Sequence, residues 1–229
     1  MRGGGATHPL VLFVARERVQ RSMSRSPLIT DIAGVLIAGG KSRRMGRDKR
    51  FVPVSGRTLF ERTLDVLESV FQEIIVVLAE PVPGLDVRGR QLVFDAIPDC
   101  GSLGGLYTGL LSTNLPRAFA VACDMPFLNP GLVRYFAEFD RLADIVVAEL
   151  ATGLHPMHAV YSQNCRPLLE SMAQRRDLKI QRLFLEPDLL VRIVRERELA
   201  PLDPGLRSFQ NINTPQDLAL AESLLPPVS

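Results

Sequence analysis

From residue 34 onward the chain alternates short apolar runs, rich in β-branched residues, with longer stretches of helical period, and this alternation restricts the fold more than any other feature. The runs 34–38 "GVLIA", 74–79 "IIVVLA", 91–94 "QLVF", 118–123 "AFAVAC", 144–148 "DIVVA", 158–161 "HAVY" and 190–195 "LVRIVR" read as strands. Between the first two, 58–71 "TLFERTLDVLESVF" places Phe60, Leu64, Leu67 and Phe71 on one helical face. Further helices are expected at 103–114, 130–140, 164–176, 178–186 and 215–225. Strand, helix, strand in repeated order predicts right-handed crossovers and an α/β fold: a single-domain, doubly wound, mostly parallel sheet over residues 31–229. Residues 1–30, with Gly3-Gly4-Gly5 and scattered arginines, read as a disordered N-terminal extension. Met23 offers a second possible start of translation.

Several function classes are disfavoured at once. A net charge of +2 is too mild for a general nucleic-acid binder, so any basic site must be local. Cys100, Cys123 and Cys165 are odd in number and form no C-x-x-C pair, which fits a reducing cytoplasm better than a disulfide framework or a zinc knuckle. No apolar run approaches the length a membrane helix needs, so no membrane partner is expected.

The stretch "GVLIAGGKSRRMGRDK", Gly34 to Lys49, joins a buried strand to paired glycines and then to Lys41, Arg43, Arg44, Arg47 and Lys49. Bare amides can cradle an anion, and this density of cations suits a polyanionic ligand. A glycine turn followed by a solvated basic loop stands as the alternative. Gly40-Lys41-Ser42 matches the end of a phosphate-binding P-loop, but Val35 occupies the position of its leading glycine. Two helix-start signals, Asn129-Pro130 and Thr214-Pro215, place "CDMP" at 123–126 and "NIN" at 211–213 in strand-to-helix connections. Such connections form the ligand crevice of open α/β sheets.

Taken in order, "LIAGGKSRRMGRDK", "FDAIPDCGSLGGLYTGL" at 94–110, "CDMP" and "NINTPQDL" at 211–218 resemble the signatures of the molybdenum cofactor guanylyltransferases, nucleotidyltransferases with a nucleotide-diphospho-sugar-transferase-like, Rossmann-like domain. The resemblance implies that Ile37, Ala38 and Gly39 present main-chain groups to guanine and ribose. It also implies that Lys49 and Arg44 meet the triphosphate, that Asp95 contacts the nucleotide, and that Asp124 holds Mg²⁺. His155, Asn211 and Asn213 fall where the family meets the acceptor. Gly101, Gly104 and Gly105 are expected to let the chain pass close to ligand. The chain departs from the pattern at Leu78, where the family commonly has an asparagine touching the nucleotide; leucine can make no side-chain hydrogen bond there.

On this resemblance GMP passes from GTP to the terminal phosphate of molybdopterin or molybdenum-molybdopterin, and pyrophosphate leaves. Candidate protein partners are the molybdenum-insertion protein and molybdoenzyme chaperones. Asp99 competes with Asp95 as the nucleotide aspartate, and a plain turn role competes for each of Asp95, Asp124, Asn211 and Asn213. His155 and His158 are three apart, but with no further ligand beside them they do not make a zinc site. Two other functions stay open: a cytidylyl- or sugar-phosphate nucleotidyltransferase on the same fold, and a non-catalytic nucleotide-binding regulator.

Overall fold

The computed structural model of the chain describes residues 26–39 and 49–225. Strand β1 (Ile32–Ile37) is buried along its whole length. Ile32 and Leu36 enter one core layer while Ala33, Val35 and Ile37 enter the other. Burial on both faces is why the strand reads as an unbroken apolar run. A 3₁₀ turn at Lys49–Phe51 and a small hairpin, β2 (Pro53–Val54) and β3 (Arg57–Thr58), lead into helix α1 (Leu59–Val70). Thr58 caps that helix by accepting from the Glu61 N–H, and Glu61 reaches back to the Thr58 N–H. Its Phe60, Leu64 and Leu67 are sealed in the core, each side chain contributing about 1.5–3 kcal/mol of burial.

Next come β4 (Ile74–Leu78), β5 (Gln91–Phe94), α2 (Gly101–Leu111), β6 (Arg117–Ala122), α3 (Pro130–Phe139), β7 (Ile145–Leu150) and β8 (Gly153–Ser162). The chain closes with α4 (Arg166–Gln174), β9 (Val191–Arg195), α5 (Glu196–Leu199) and α6 (Pro215–Leu224). Among the described residues, seven strands form one sheet in the order β5-β4-β1-β6-β8-β7-β9. All neighbours pair in parallel except β8, which is antiparallel to both β6 and β7. The sheet is therefore mostly parallel, as expected.

The segment 158–161 departs from the expected crossover pattern. It belongs to the ten-residue β8, which returns from β7 through a two-residue turn at Ala151-Thr152, and a connection that short permits only an antiparallel pair. Register slips within that pair: Ala148 faces His155 while Val147 faces Ala159, so residues 156–158 bulge. The bulge interrupts period-2 alternation, which hid the first half of the strand. Segment 178–186 is a 3₁₀ stretch at Ile180–Leu185 rather than an α-helix. The fold also starts earlier than expected: Ile29, assigned to the loose extension, is core-packed and bonds through its N–H to the Val70 carbonyl (2.8 Å). The rest of that extension, residues 1–25, lies outside the described residues.

Helices α1 and α3 cover one face of the sheet, α2 and α4 the other. Helix α2 lies very close to β1. A Cβ on Gly109 would stand 2.5 Å from Val35 Cγ1, and one on Gly105 2.7 Å from Ile37 Cγ2. Gly105 and Gly109 are thus buried helix residues that let α2 approach the sheet, whereas a Cβ on Gly104 would stand 2.9 Å from Cys100 Cβ, so Gly104 lets the turn before α2 pack on the helix.

Candidate active site

Strands β5, β4, β1 and β6 run parallel and end side by side. The chain leaves them at one edge as Asp95, Ala79, Ala38-Gly39 and Cys123-Asp124. Backbone bonds fix these exits: Asp95 N–H donates to Leu78 O (2.9 Å), Ala38 N–H to Val77 O (2.9 Å), and Cys123 N–H to Ile37 O (3.3 Å). Asp95 and Asp124 are three strand spacings apart, roughly 14 Å. Metal–oxygen bonds span about 2–2.6 Å, so these two carboxylates cannot share one ion. They can sit at the two ends of a nucleotide.

Asp124 is half-buried in the turn after β6. Its carbonyl accepts from the Ile212 N–H (2.9 Å), which brings the Asn-Ile-Asn segment against the Asp124 turn. Ile212 is buried with Val54 and Leu59, whereas Asn211 and Asn213 on either side of it are exposed. Thr214 and Asp217 form a reciprocal cap on α6, and the Asp217 carboxylate also accepts from the Asn213 N–H (2.9 Å). The local rule that starts a helix here thus also fixes Asn213, next to the Ile212 bond that sets the segment beside Asp124.

Asp95 occupies the far end of the edge. Its Oδ1 is buried with no hydrogen-bond partner among the described residues, and burial pushes its carboxyl pKa up to about 6. The neighbouring Ala96 N–H donates to Thr108 Oγ1 (2.9 Å), which ties the turn to α2. Asp99, the competing aspartate, is exposed with a left-handed backbone (φ 59°). Of the two, Asp95 carries the acceptor atom in need of a donor.

Ile37 and Ala38 are buried, and their main-chain groups already serve the fold. Ile37 O accepts from Cys123, Ala38 N–H is bonded to Val77, and Ala38 O accepts from Arg50 Nη1 (2.6 Å). Gly39 is the exposed residue of the three. Leu78 is fully buried in the core, and the residue that opens at the end of β4 is Ala79. Arg44 lies outside the described residues. So does the Lys49 side chain, although its backbone opens the 3₁₀ turn that follows the loop. Arg50 was missed in the sequence because it reads as one more cation of a basic loop; it is in fact buried, with its guanidinium 5.4 Å from the Phe51 ring centroid. Its signal was its position on the inner side of the boundary with the apolar "FVPV" run.

Strand β8 runs antiparallel to β6, so its first half reaches the same edge. His155 lies there, half-buried, with Nε2 2.9 Å from Thr152 Oγ1 and its ring 5.1 Å from that of Phe209; burial lowers its pKa. His158 is fully buried instead, 4.5 Å from Phe209 and 5.2 Å from both Phe119 and Phe136 between ring centroids. Among the described residues no group of three or more His, Cys, Asp or Glu side chains is placed to hold a metal. No helix there is long and apolar enough to cross a membrane.

Residues 34–191 match the model of the MobA-like NTP transferase domain. A molybdenum cofactor guanylyltransferase of Desulfosudis oleivorans is 35% identical over 198 residues, covering 85% of this chain and 96% of that protein. The crystal structure of molybdopterin-guanine dinucleotide biosynthesis protein A from Archaeoglobus fulgidus superposes with a TM-score of 0.74 at 25% identity, over 84% of this chain and 98% of that one. The fold alone is shared with 2-C-methyl-D-erythritol 4-phosphate cytidylyltransferase from Thermus thermophilus, with a TM-score of 0.60 at 22% identity over 83% of this chain and 96% of that one. With the family model covering well over half of its length, the chain belongs to the MobA-like NTP transferases.

Proposed function

We propose that this protein transfers GMP from GTP to the terminal phosphate of molybdopterin, with or without bound molybdenum, and releases pyrophosphate. The observation that carries this reading is the convergence at one sheet edge of the Gly39 exit of β1, the Asp124 turn and the Asn211–Asn213 segment, with Asp95 at the far end. It is supported by the likeness to the Desulfosudis guanylyltransferase over most of the chain.

In this reading the guanine lies over the ends of β1, β4 and β5, against Gly39 and the buried oxygen of Asp95. The main chain of Ile37 and Ala38 forms the floor beneath it. The polyphosphate runs toward β6, where Lys49 and Arg44 neutralise its charge. His155, Asn211 and Asn213 face the acceptor from the β8 side. The residues present fit a hard divalent cation: Asp124 supplies a carboxylate, no multi-residue cage surrounds it among the described residues, and Mg²⁺ typically takes one or two carboxylates together with substrate phosphates. When bound, Mg²⁺ supplies positive charge for the phosphate oxygens and the departing pyrophosphate. The chain contributes positioning: two polyanions are held in line against their mutual repulsion, and no covalent enzyme intermediate is required.

A second reading, CTP in place of GTP, is favoured by one observation: Leu78 offers no hydrogen bond to the base. One assay separates the readings. Purified protein is incubated with Mg²⁺, molybdopterin-loaded donor and either GTP or CTP, and dinucleotide and pyrophosphate are scored. The guanine dinucleotide with stoichiometric pyrophosphate is expected. Preferential use of CTP overturns the guanine assignment, and no pyrophosphate from either nucleotide overturns the enzymatic one.

A further inference from the structure

The turn that carries Asp124 has no sheet ladder to hold it, yet it is tied down at several points by a segment about 80 residues away. Ser208 is fully buried, and its hydroxyl bridges two main-chain groups of the turn, donating to Phe127 O (3.2 Å) and accepting from Asn129 N–H (3.1 Å). The Ser208 N–H donates to Asp203 Oδ2 (2.8 Å), and Asp203 is itself buried. Asn129 Nδ2 donates to Leu202 O (3.1 Å), and Ile212 N–H donates to Asp124 O (2.9 Å). Residues 202–212 therefore form a strap across both ends of the turn, from Asp124 to Asn129. Phe209 seats it against His155 and His158 of β8. A hydroxyl can donate to one main-chain group and accept from another through a single atom. Its removal leaves a partly buried carbonyl and N–H without this partner.

We propose that Ser208, supported by Asp203, is a positioning residue for Asp124: the strap sets the place of the carboxylate and so the affinity of the site for a divalent cation. This rests on the reading of Asp124 as the metal ligand. Ser208 touches no substrate; it acts through the turn. The strap runs directly into Asn211 and Asn213, so the same element that positions the metal ligand delivers the acceptor-side asparagines.

The test is a Mn²⁺ titration followed by electron paramagnetic resonance, with a non-hydrolysable GTP analogue present, on the full chain. Ser208→Ala is expected to raise the Mn²⁺ Kd at least fivefold and to raise by a similar factor the Mg²⁺ concentration giving half-maximal transfer. Binding of the analogue without metal should be unchanged. Ser208→Thr, which keeps the hydroxyl, should recover most of the affinity. Met172→Ala, in the opposite core layer, is the control: it lowers thermal stability but should leave the Mn²⁺ Kd within twofold. If Ser208→Ala does not fold, Asp203→Asn weakens the support of the strap and reads the same constant. Wild-type Mn²⁺ affinity in Ser208→Ala, or equal loosening in Met172→Ala, overturns the proposal. Retained Mn²⁺ affinity in Asp124→Ala overturns instead the metal reading beneath it, so the two failures are told apart.

Discussion

The parallel half of the sheet, β5-β4-β1-β6, and the half built on the β7–β8 hairpin both bury polar atoms that lack a partner among the described residues, but in opposite settings. Asp95 holds its buried oxygen at the rim, in a turn at the end of β5, where a ligand can reach it. His158 holds both ring nitrogens in a closed cage of Phe119, Phe136 and Phe209, at zero exposure. Burial raises the Asp95 pKa to about 6 and lowers that of His158 to about 3, the charge of His155 adding to the second shift. In each case burial disfavours the charged form. An unsatisfied atom at a rim marks a place for a partner, whereas one in a cage only keeps its group neutral.

The comparison is tested first at the rim. Asp124→Ala is expected to cut kcat/KM for guanylyl transfer by about a thousandfold or more, roughly 4 kcal/mol of transition-state stabilisation, with little change in Tm. Steady-state kinetics beside a thermal melt checks both halves of that statement. Loss of the fold would show that Asp124 belongs with the buried structural groups.

The cage is tested by acid. The native pKa of His158 lies below its ordinary 6.5, so between those values the unfolded chain binds the extra proton and stability falls as pH falls. The expected loss from this one group is roughly 2 kcal/mol near pH 5. His158→Leu should flatten that part of the profile in denaturant melts. An unchanged acid limb would mean that the ring is protonated in the native state.

Helix α2 separates packing from ligand contact. Gly109→Ala forces a methyl group to within 2.5 Å of Val35 Cγ1 and should cost about 1–3 kcal/mol in chemical denaturation. The GTP KM of the folded fraction should stay near wild type. A large KM change would return the α2 glycines to the ligand.

Asp95 gives a smaller stability effect than His158, with the opposite sign. Its native pKa is raised, so its favourable contribution is present below about pH 4 and is lost as pH rises through 6. Asp95→Asn should therefore stabilise the free protein by about 1 kcal/mol at pH 7, discounted for its partial exposure, and by almost nothing at pH 4. The same change should raise the GTP KM. Stabilisation with an unchanged KM would make Asp95 a structural group like His158.

The two halves also differed in how far the sequence could be read. In the parallel half, two-sided burial writes strands as plain apolar runs, so β1, β4, β5 and β6 were placed within a residue or two, and with them Asp95 and Asp124. The capping signals at Asn129 and Thr214 took their expected roles because they are local rules. The hairpin half was less legible. A bulge at 156–158 broke the alternation that identifies a half-buried strand, and only the two-residue turn at Ala151-Thr152 marks the reversal. Long-range pairs had little local signature. Arg50 on Ala38 and Ser208 on the Asp124 turn join residues that are distant in sequence and ordinary in composition. Leu78 was legible as a residue with no side-chain hydrogen bond to offer, but its full burial in the core was not.

The most direct measurement is a crystal structure with a non-hydrolysable GTP analogue and Mn²⁺, with data collected to give manganese anomalous density. The account predicts one manganese peak at the Asp124 carboxylate, next to the phosphates of a nucleotide whose base lies toward Asp95. A nucleotide at the opposite edge of the sheet, or manganese remote from Asp124, would contradict it.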